Sequence, residues 1–384
     1  MTQFSTIGLI GKLDNDRARY SVERLVRYLA TRDVRVIIEE QTAALLGGGY
    51  SGPDIRVADM DDLGSSCDLA IVVGGDGSLL SGARDLVQYD VPLLGVNRGR
   101  LGFLTDIVPD AIEQKMGEVL DGQYVMEQRF LLDMQVSRNG HPVTTGDALN
   151  DVVLHPGEFI RMIEFELYVD GQFVYSQKSD GMIVSTPTGS TAYALSGGGP
   201  IMHPKLDAIV LVPMNPHTLS SRPMVVAGDS IIKILVGEGN TAVPHVTCDG
   251  QTHDAVAGGD EIIISKKPQT LQLLHPLNHN FYERCRSKLG WGGTPAGQIM
   301  TLDCQPAGAR LFDRLDIIGD VHGCEHTLTR LLIQLGYQKQ RGIFRHPERI
   351  AVFVGDIIDR GPRIREALQL VRAMVEAGSA RMIL

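Results

Sequence analysis

Five consecutive apolar residues, Leu69-Ala-Ile-Val-Val73, run without a break into Gly74-Gly-Asp-Gly-Ser78 and then into a helical face traced by Leu79, Leu80, Ala83, Leu86 and Val87. A strand with no polar alternation is covered on both faces, which is the condition of a parallel sheet with helices on either side. The surrounding sequence repeats the unit. Ile7–Ile10, Val34–Ile38 and Pro92–Val96 read as further strands, and Ala18, Val22, Leu25, Val26 and Leu29 share one helical face. Residues 41–66, rich in Gly, Asp and Ser, read as irregular. The first third of the chain is therefore expected to be an α/β domain with a parallel sheet and flanking helices.

The rhythm changes near residue 125. Ile163, Phe165, Leu167 and Val169 alternate with polar residues, and Asp170-Gly171 separates them from Phe173-Val-Tyr175. An Asp-Gly pair between alternating runs predicts a hairpin. Further strand-like runs at 182–185, 209–213, 230–236, 246–256 and 261–265 predict a mainly antiparallel β domain. Gly290–Ala309 carries Gly and Pro without periodicity and reads as a linker. A second strand–helix pattern follows, with strands at Leu315–Ile318 and Ile350–Val354 and a third beginning at Met382. The expected division is an α/β domain at 1–124, a β-rich domain at 125–292, a linker at 293–311 and an incomplete α/β segment at 312–384.

Length and charge narrow the function. A chain of 384 residues holds two or three domains, and 43% hydrophobic with 21% charged residues is ordinary for a soluble globular protein. No apolar run approaches the roughly 18 residues of a membrane span. A net charge of −10 argues against a general nucleic-acid binder and against binding to anionic membranes. The 5 cysteines include no Cys-x-x-Cys pair, so neither a disulfide framework nor a zinc knuckle is expected. The N-terminus lacks the basic and apolar regions of a secretory signal, which places the protein in the cytoplasm.

Ligands of open α/β sheets bind beyond the carboxyl ends of the strands, which is where Gly74–Ser78 stands. Gly74, Gly75 and Gly77 let backbone N–H groups approach a phosphate. The loop has no Gly-Lys-Ser/Thr ending and carries Asp76 instead. A carboxylate repels phosphate, so its presence makes sense if it accepts a proton from a hydroxyl or holds Mg²⁺, as phosphoryl transfer to an alcohol requires. Thr186-Pro-Thr-Gly-Ser-Thr-Ala-Tyr193 reads as a turn-rich loop entering a helix, which would offer hydroxyls and N–H groups at a helix N-terminus. His155, His203 and His275 each stand beside a proline and read as loop residues.

Gly74-Gly-Asp-Gly-Ser78 resembles the loop shared by NAD kinases, 6-phosphofructokinases and the diacylglycerol and sphingosine kinases. Asn97-Arg-Gly-Arg-Leu-Gly-Phe-Leu104, Ser185–Tyr193 with Gly197-Gly-Gly-Pro200, Pro213–Leu219 and Lys288-Leu-Gly-Trp291 are similar to NAD kinase motifs in order, over nearly all of residues 5–292. The resemblance implies phosphorylation of the adenosine-ribose 2′-hydroxyl of NAD by Mg-ATP, with Asp76 as general base. It implies that Gly75 and Gly77 lie against the substrates and that Phe103 lines the adenine side. Asn150 and Asp151 would bind ribose, Asp151 standing where the family has Glu. Asp180 would meet the nicotinamide end. Thr188, Thr191, Ala192, Tyr193 and Ser196 would hold adenine and its sugar, and Arg161, Lys178 and Gln251 match further substrate contacts. NAD and ATP are the implied partners and Mg²⁺ the implied cofactor, in a homo-oligomer, dimer or tetramer. A lipid or sugar kinase on the same glycine loop and a binder without turnover are the competing readings.

In the last segment, Gly319-Asp-Val-His-Gly323 and Gly355-Asp-Ile-Ile-Asp-Arg-Gly361 put Asp320, His322, Asp356 and Asp359 just past two strands. Two carboxylates and an imidazole suit Mn, Fe or Zn. These motifs resemble the opening of the calcineurin-like metallophosphoesterases, whose later Gly-Asn-His-Glu segment has no counterpart in this sequence. The expectation is a weak metal site at Asp320, His322 and Asp356 at most, with no efficient hydrolysis; a metal-dependent phosphatase is the alternative function.

Overall fold

The apolar run at 69–73 becomes the centre of a sheet, and all five of its residues are fully buried. The structure is a computed structural model. It describes residues 4–11, 16–47, 54–97, 102–157, 161–218, 220–291, 314–340, 342–354, 357–358 and 361–383. Two units are formed, 1–293 and 294–384.

The first unit begins with β1 (Thr6–Gly11), α1 (Asp16–Leu29), β2 (Arg35–Glu39), α2 (Glu40–Leu46), β3 (Ile55–Ala58), α3 (Met60–Ser66), β4 (Leu69–Val73), α4 (Asp76–Leu86), β5 (Leu93–Val96) and α5 (Ile112–Leu120). The strands pair in parallel in the order β5-β4-β1-β2-β3. Val22, Leu25, Val26 and Leu29 of α1 pack on one face of the sheet. Leu79, Leu80, Ala83 and Leu86 of α4 pack on the other. Each Leu or Val side chain buried in this way contributes about 1.5–3 kcal/mol. The stretch 41–66, expected to be irregular, forms α2, β3 and α3. Side chains outside the helices explain the difference. Glu39 accepts hydrogen bonds from the N–H groups of Gln41 and Thr42 at 2.8 Å each, and Asp59 accepts from Asp62 N at 2.8 Å, so both short helices are capped.

The β-rich part follows as β6 (Tyr124–Arg138), β7 (His141–Ala148), β8 (Asp151–His155), β9 (Ile163–Val169), β10 (Gln172–Ser179), β11 (Gly181–Ser185), α6 (Tyr193–Ser196), β12 (Ala208–Met214), β13 (Met224–Ala227), β14 (Ile232–Val236), β15 (His245–Cys248), β16 (Asp254–Ala255), β17 (Glu261–Pro276) and α7 (Phe281–Leu289). Asp170 (φ 51°) and Gly171 (φ 75°) form the expected hairpin turn, and Asn139 (φ 52°) and Gly140 (φ 75°) form another. The long strands β6 and β17 pair antiparallel, with a register break between Lys266 and Thr270 where Pro268 has no N–H to give. At its end β17 pairs in parallel with β5, Leu273 opposite Leu93. One 11-stranded sheet therefore runs through both parts. A 6-stranded sheet, ordered β13-β12-β11-β8-β15-β16, packs against its antiparallel half. Phe165, Leu167, Ile232 and Ile262 from one sheet meet Val152, Leu154, Met182 and Leu211 from the other.

The second unit contains β18 (Arg314–Ile318), α8 (Glu325–Gln334), β19 (Gln338–Gln340), β20 (Ile343–Arg345), β21 (Arg349–Val354), α9 (Ile364–Glu376) and β22 (Ala380–Ile383). β18, β21 and β22 form a parallel sheet over a core that includes Leu328, Leu332, Phe353 and Val371. The expected linker at 293–311 lies outside the described residues.

Candidate active site

The chain leaves β4 at Gly74, where a Cβ would stand 2.3 Å from Ser78 Oγ, and enters α4 at Asp76. Asp76 points across to the segment after β5. Its Oδ2 accepts from Phe103 N at 2.8 Å, and its Oδ1 accepts from Leu104 N and Thr105 Oγ1, each at 3.2 Å. The fit is close, since a Cβ on Gly102 would lie 1.9 Å from Oδ1. Asn97 Nδ2 donates to Thr105 Oγ1 at 2.7 Å, which frees that hydroxyl's proton for Asp76. Among the described residues, both lone-pair directions of Oδ1 are thus occupied, and Oδ2 keeps one open.

One cavity opens at this corner, and a second shares with it the turn at 249–251. One, of about 730 Å³, is lined by Gly75, Gly77, Ser78, Ser81, Asp85, Glu39 and Gln251. The other, of about 620 Å³, is lined by Asn150, Asp151, Asp180, Ala192, Tyr193, Asn215 and Asp249 among others. The turn Asp249-Gly250-Gln251 reaches both. Its carboxylate, fully buried, accepts from Arg84 Nη1 at 2.6 Å and from the N–H groups of Leu149, Asn150 and Asp151 at 3.1, 2.7 and 3.2 Å. Gln251 donates to Gly77 O at 2.9 Å and accepts from Arg84. Arg84, Asp249 and Gln251 thereby fasten α4 to the segment that carries Asn150.

Asp151 lines the cavity with its side chain buried beside Asp249. Burial, and then the Asp249 charge, push its carboxyl up to about 7. Between about pH 4 and pH 7 the folded chain holds a proton that an exposed aspartate has lost, so stability falls as pH rises through that window. Asp151→Asn carries no such proton. It should become more stable than the wild type by on the order of 2 kcal/mol at pH 8 and by little at pH 4. Urea unfolding at the two pH values checks this, and an equal difference at both would contradict it.

Other expected site residues have distinct placements. Tyr193 is 50% exposed at the cavity rather than packed in the core. Asp180 sits where the chain crosses from one sheet to the other, and Asn215 Nδ2 donates to its Oδ2 at 2.9 Å. Thr188 is buried and accepts from Arg129 at 3.1 Å, while Thr191 Oγ1 donates to Thr188 O at 3.3 Å. Ser196 is exposed at the end of α6. The helix expected after Thr191 is only the 4-residue α6, without a side-chain cap and stopped by the glycines at 197–199. The hydroxyls of Thr186 and Ser190 are spent on Leu149 O and Pro187 O at 2.6 and 2.7 Å, so they brace the loop instead of lining a helix N-terminus. Arg161 and Lys178 are exposed near one end of the β9–β10 hairpin, and neither lines the two cavities.

Sequence reasoning missed Arg84, Asp249 and Asn215. Asn215 stands inside a quoted motif, but the Arg84–Asp249 pair has no local signal. His155 ends β8 and lines the cavity, and His275 is a buried residue of β17; neither is the loop residue expected. In the second unit His322 Nε2 lies 3.5 Å from Asp320 Oδ2, and His322 adopts a φ of 46° just past β18. Asp356 and Asp359 lie outside the described residues.

A glycine-rich strand-to-helix corner that lines a cavity and carries a carboxylate braced by backbone N–H groups fits a phosphotransferase acting on a hydroxyl. Residues 7–124 match the ATP-NAD kinase N-terminal domain and residues 149–275 the ATP-NAD kinase C-terminal domain, and the NAD kinase of Cellvibrio japonicus (strain Ueda107) is 68% identical over 294 residues, covering 76% of this chain and 98% of that protein. The chain belongs to the NAD kinase family. The NAD kinase of Saccharophagus degradans (strain 2-40) is 58% identical over 297 residues, covering 77% of this chain and 100% of that protein. Among solved structures, yeast NADH kinase complexed with NADH aligns with a TM-score of 0.68 at 25% identity, over 76% of this chain and 89% of that one. An NAD kinase from Archaeoglobus fulgidus in complex with ATP aligns with a TM-score of 0.56 at 26% identity, over 74% and 97%. Residues 314–383 match the calcineurin-like phosphoesterases.

Proposed function

We propose that Asp76 is the general base of an NAD kinase reaction in which the terminal phosphate of Mg-ATP passes to the 2′-hydroxyl of the adenosine ribose of NAD. The observation that carries this reading is the open lone pair of Asp76 Oδ2 on an otherwise fully engaged carboxylate. The hydroxyl proton goes to that oxygen as the ribose oxygen attacks phosphorus and ADP leaves. NAD occupies the cavity of Asn150, Asp151, Asp180, Ala192 and Tyr193. Asn150 and Asp151 meet the ribose, and Tyr193 offers its exposed ring to adenine. ATP occupies the cavity lined by Gly75 and Gly77, where the N-terminus of the 11-residue helix α4 favours phosphate. Magnesium enters as part of the Mg-ATP substrate, and Ser78, Ser81 and Asp85 supply oxygen donors of the hard kind it accepts. Thr188 and Thr191 shape the adenine loop, Gln251 holds Gly77, and Phe103 and Ser196 border the nucleotide.

The reaction belongs to the cytoplasm; among the described residues no helix is long and apolar enough to cross a membrane. Arg161 and Lys178 lie outside both cavities, an arrangement that supports a dimer or tetramer in which they reach a neighbouring copy's substrate.

The second unit supports a subordinate reading. Asp320 and His322 offer an oxygen and a nitrogen donor suited to Mn, Fe or Zn, and the sequence carries Asp356 in the second of the two motifs. A weak metal site is the reading that these donors support. NADP formation from NAD and Mg-ATP, compared between residues 1–293 and the whole chain, tests the division of labour. Equal turnover is expected, and turnover in the whole chain alone would overturn it. Metal-dependent phosphate release that survives Asp76→Asn and is lost in Asp320→Asn would instead establish a phosphatase.

A further inference from the structure

A cluster of buried charges lies behind the segment that holds Asp76. The Asp106 carboxylate, 1% exposed, accepts from the Arg284 guanidinium, from His275 Nδ1 and, at 3.0 Å, from His279 Nδ1. Arg284, on α7, also donates to the carbonyls of Gly102 at 3.0 Å and Thr105 at 3.3 Å. One guanidinium thus ties down both ends of the segment whose Phe103 and Leu104 N–H groups and Thr105 hydroxyl hold Asp76. On its other side His275 Nε2 faces Glu127 at 3.6 Å, Glu127 pairs with Arg129 at 2.6 Å, and Arg129 donates to Thr188.

We propose that Arg284, Asp106 and His275 are positioning residues for phosphoryl transfer, which clamp residues 102–105 so that Asp76 meets the acceptor hydroxyl; this rests on Asp76 being the base. Phosphoryl transfer draws most of its rate from placement, and displacement of a reacting group by about 1 Å costs up to about a hundredfold. Gly102 already lies so close to Asp76 that a Cβ would not fit between them, so movement of the segment is passed to the carboxylate directly. The ligand atoms of Asp106, His275 and His279 all lie within 4.8 Å of one another, as in a metal site. Arg284 already neutralises that carboxylate, which makes the group an ion cluster.

The cluster also has a pH dependence. Burial alone would lower the pKa of His275, but its hydrogen bond to Asp106 and the nearby Asp106 and Glu127 carboxylates raise it overall. The groups that face it are Asp106 after β5, Glu127 and Arg129 on β6, His279 after β17 and Arg284 on α7. A raised histidine pKa means that the cationic form braces the cluster at low pH and that the brace is lost as pH rises through the folded value.

The test uses the whole chain at saturating Mg-ATP, from about pH 6 to 9 and below each variant's melting temperature. Arg284→Met should lower kcat by about 10- to 100-fold while the KM for NAD moves less than about threefold, and Arg284→Lys should recover part of the loss. The wild type should show an alkaline fall of kcat, and His275→Gln should remove it. Unchanged kcat in Arg284→Met, or a His275→Gln profile that superimposes on the wild type, would overturn the proposal. Should either variant fail to fold, Glu127→Gln should move the alkaline limb to lower pH, and an unmoved limb would have the same negative meaning. Asp76→Asn is run alongside. Retained activity there refutes the base assignment, whereas its loss beside fully active Arg284 and His275 variants refutes only the clamp.

Discussion

Asp76→Asn should lose about 10²- to 10⁴-fold in kcat with little change in the KM for NAD. The variant keeps an oxygen that can face Leu104 N and Thr105 Oγ1. Its amide nitrogen then replaces Oδ2, meets the Phe103 N–H donor-to-donor and has no lone pair for the ribose proton. The lost backbone hydrogen bond costs about 1 kcal/mol, so the protein should fold and bind NAD normally. Steady-state NADP formation beside an equilibrium NAD titration separates the two effects. Turnover within a factor of about three of the wild type would exclude proton transfer to Asp76.

Asp249→Ala should produce the largest loss of stability. The substitution strands three backbone N–H groups and leaves the Arg84 guanidinium, 14% exposed, without its carboxylate. Breaking a buried pair in this way costs about 3–5 kcal/mol. For a unit of this size that corresponds to a melting temperature lower by roughly 10 °C. The segment at 149–151 should also lose its register with α4, so the KM for NAD should rise by about tenfold or more. Asp249→Asn should rescue little, because an amide that accepts from Asn150 N turns its own N–H groups toward Leu149 N or Arg84. Calorimetry and NAD saturation curves check both parts, and a melting temperature within about 2 °C of the wild type would refute the role of the carboxylate.

The parts of this architecture that were legible in the sequence are those with local causes. Ile7–Ile10 and Leu69–Val73 announce strands buried on both faces, and Asp170-Gly171 announces a turn that needs two positive φ values. Gly74–Ser78 reveals a phosphate-approaching corner with a carboxylate because all its parts are adjacent. Short elements were lost where a single side chain decides them, as with Glu39 and Asp59 at the starts of α2 and α3. The braces of the site were lost for another reason. Asp249 lies 98 to 165 residues from the groups it holds, and Arg284 lies 178 residues from Asp106. Nothing in the neighbourhood of a lone Asp or Arg distinguishes a buried hub from a solvated surface charge. The histidine beside Pro276 shows the same limit, since its proline neighbour suggested a loop while strand pairing with β6 buries it.

The pairing of β17 with both β6 and β5 has a consequence for amide exchange. Strands that share one ladder open together, so the deepest amides of the parallel half and of the antiparallel half exchange through the same rare unfolding event. A nucleotide bound among β8, β15 and the 149–151 segment makes that event rarer by mass action. Deuterium uptake is therefore expected to slow in β1 and β4, which do not line the cavity of Asn150 and Asp151, whereas β18, β21 and β22 belong to another sheet.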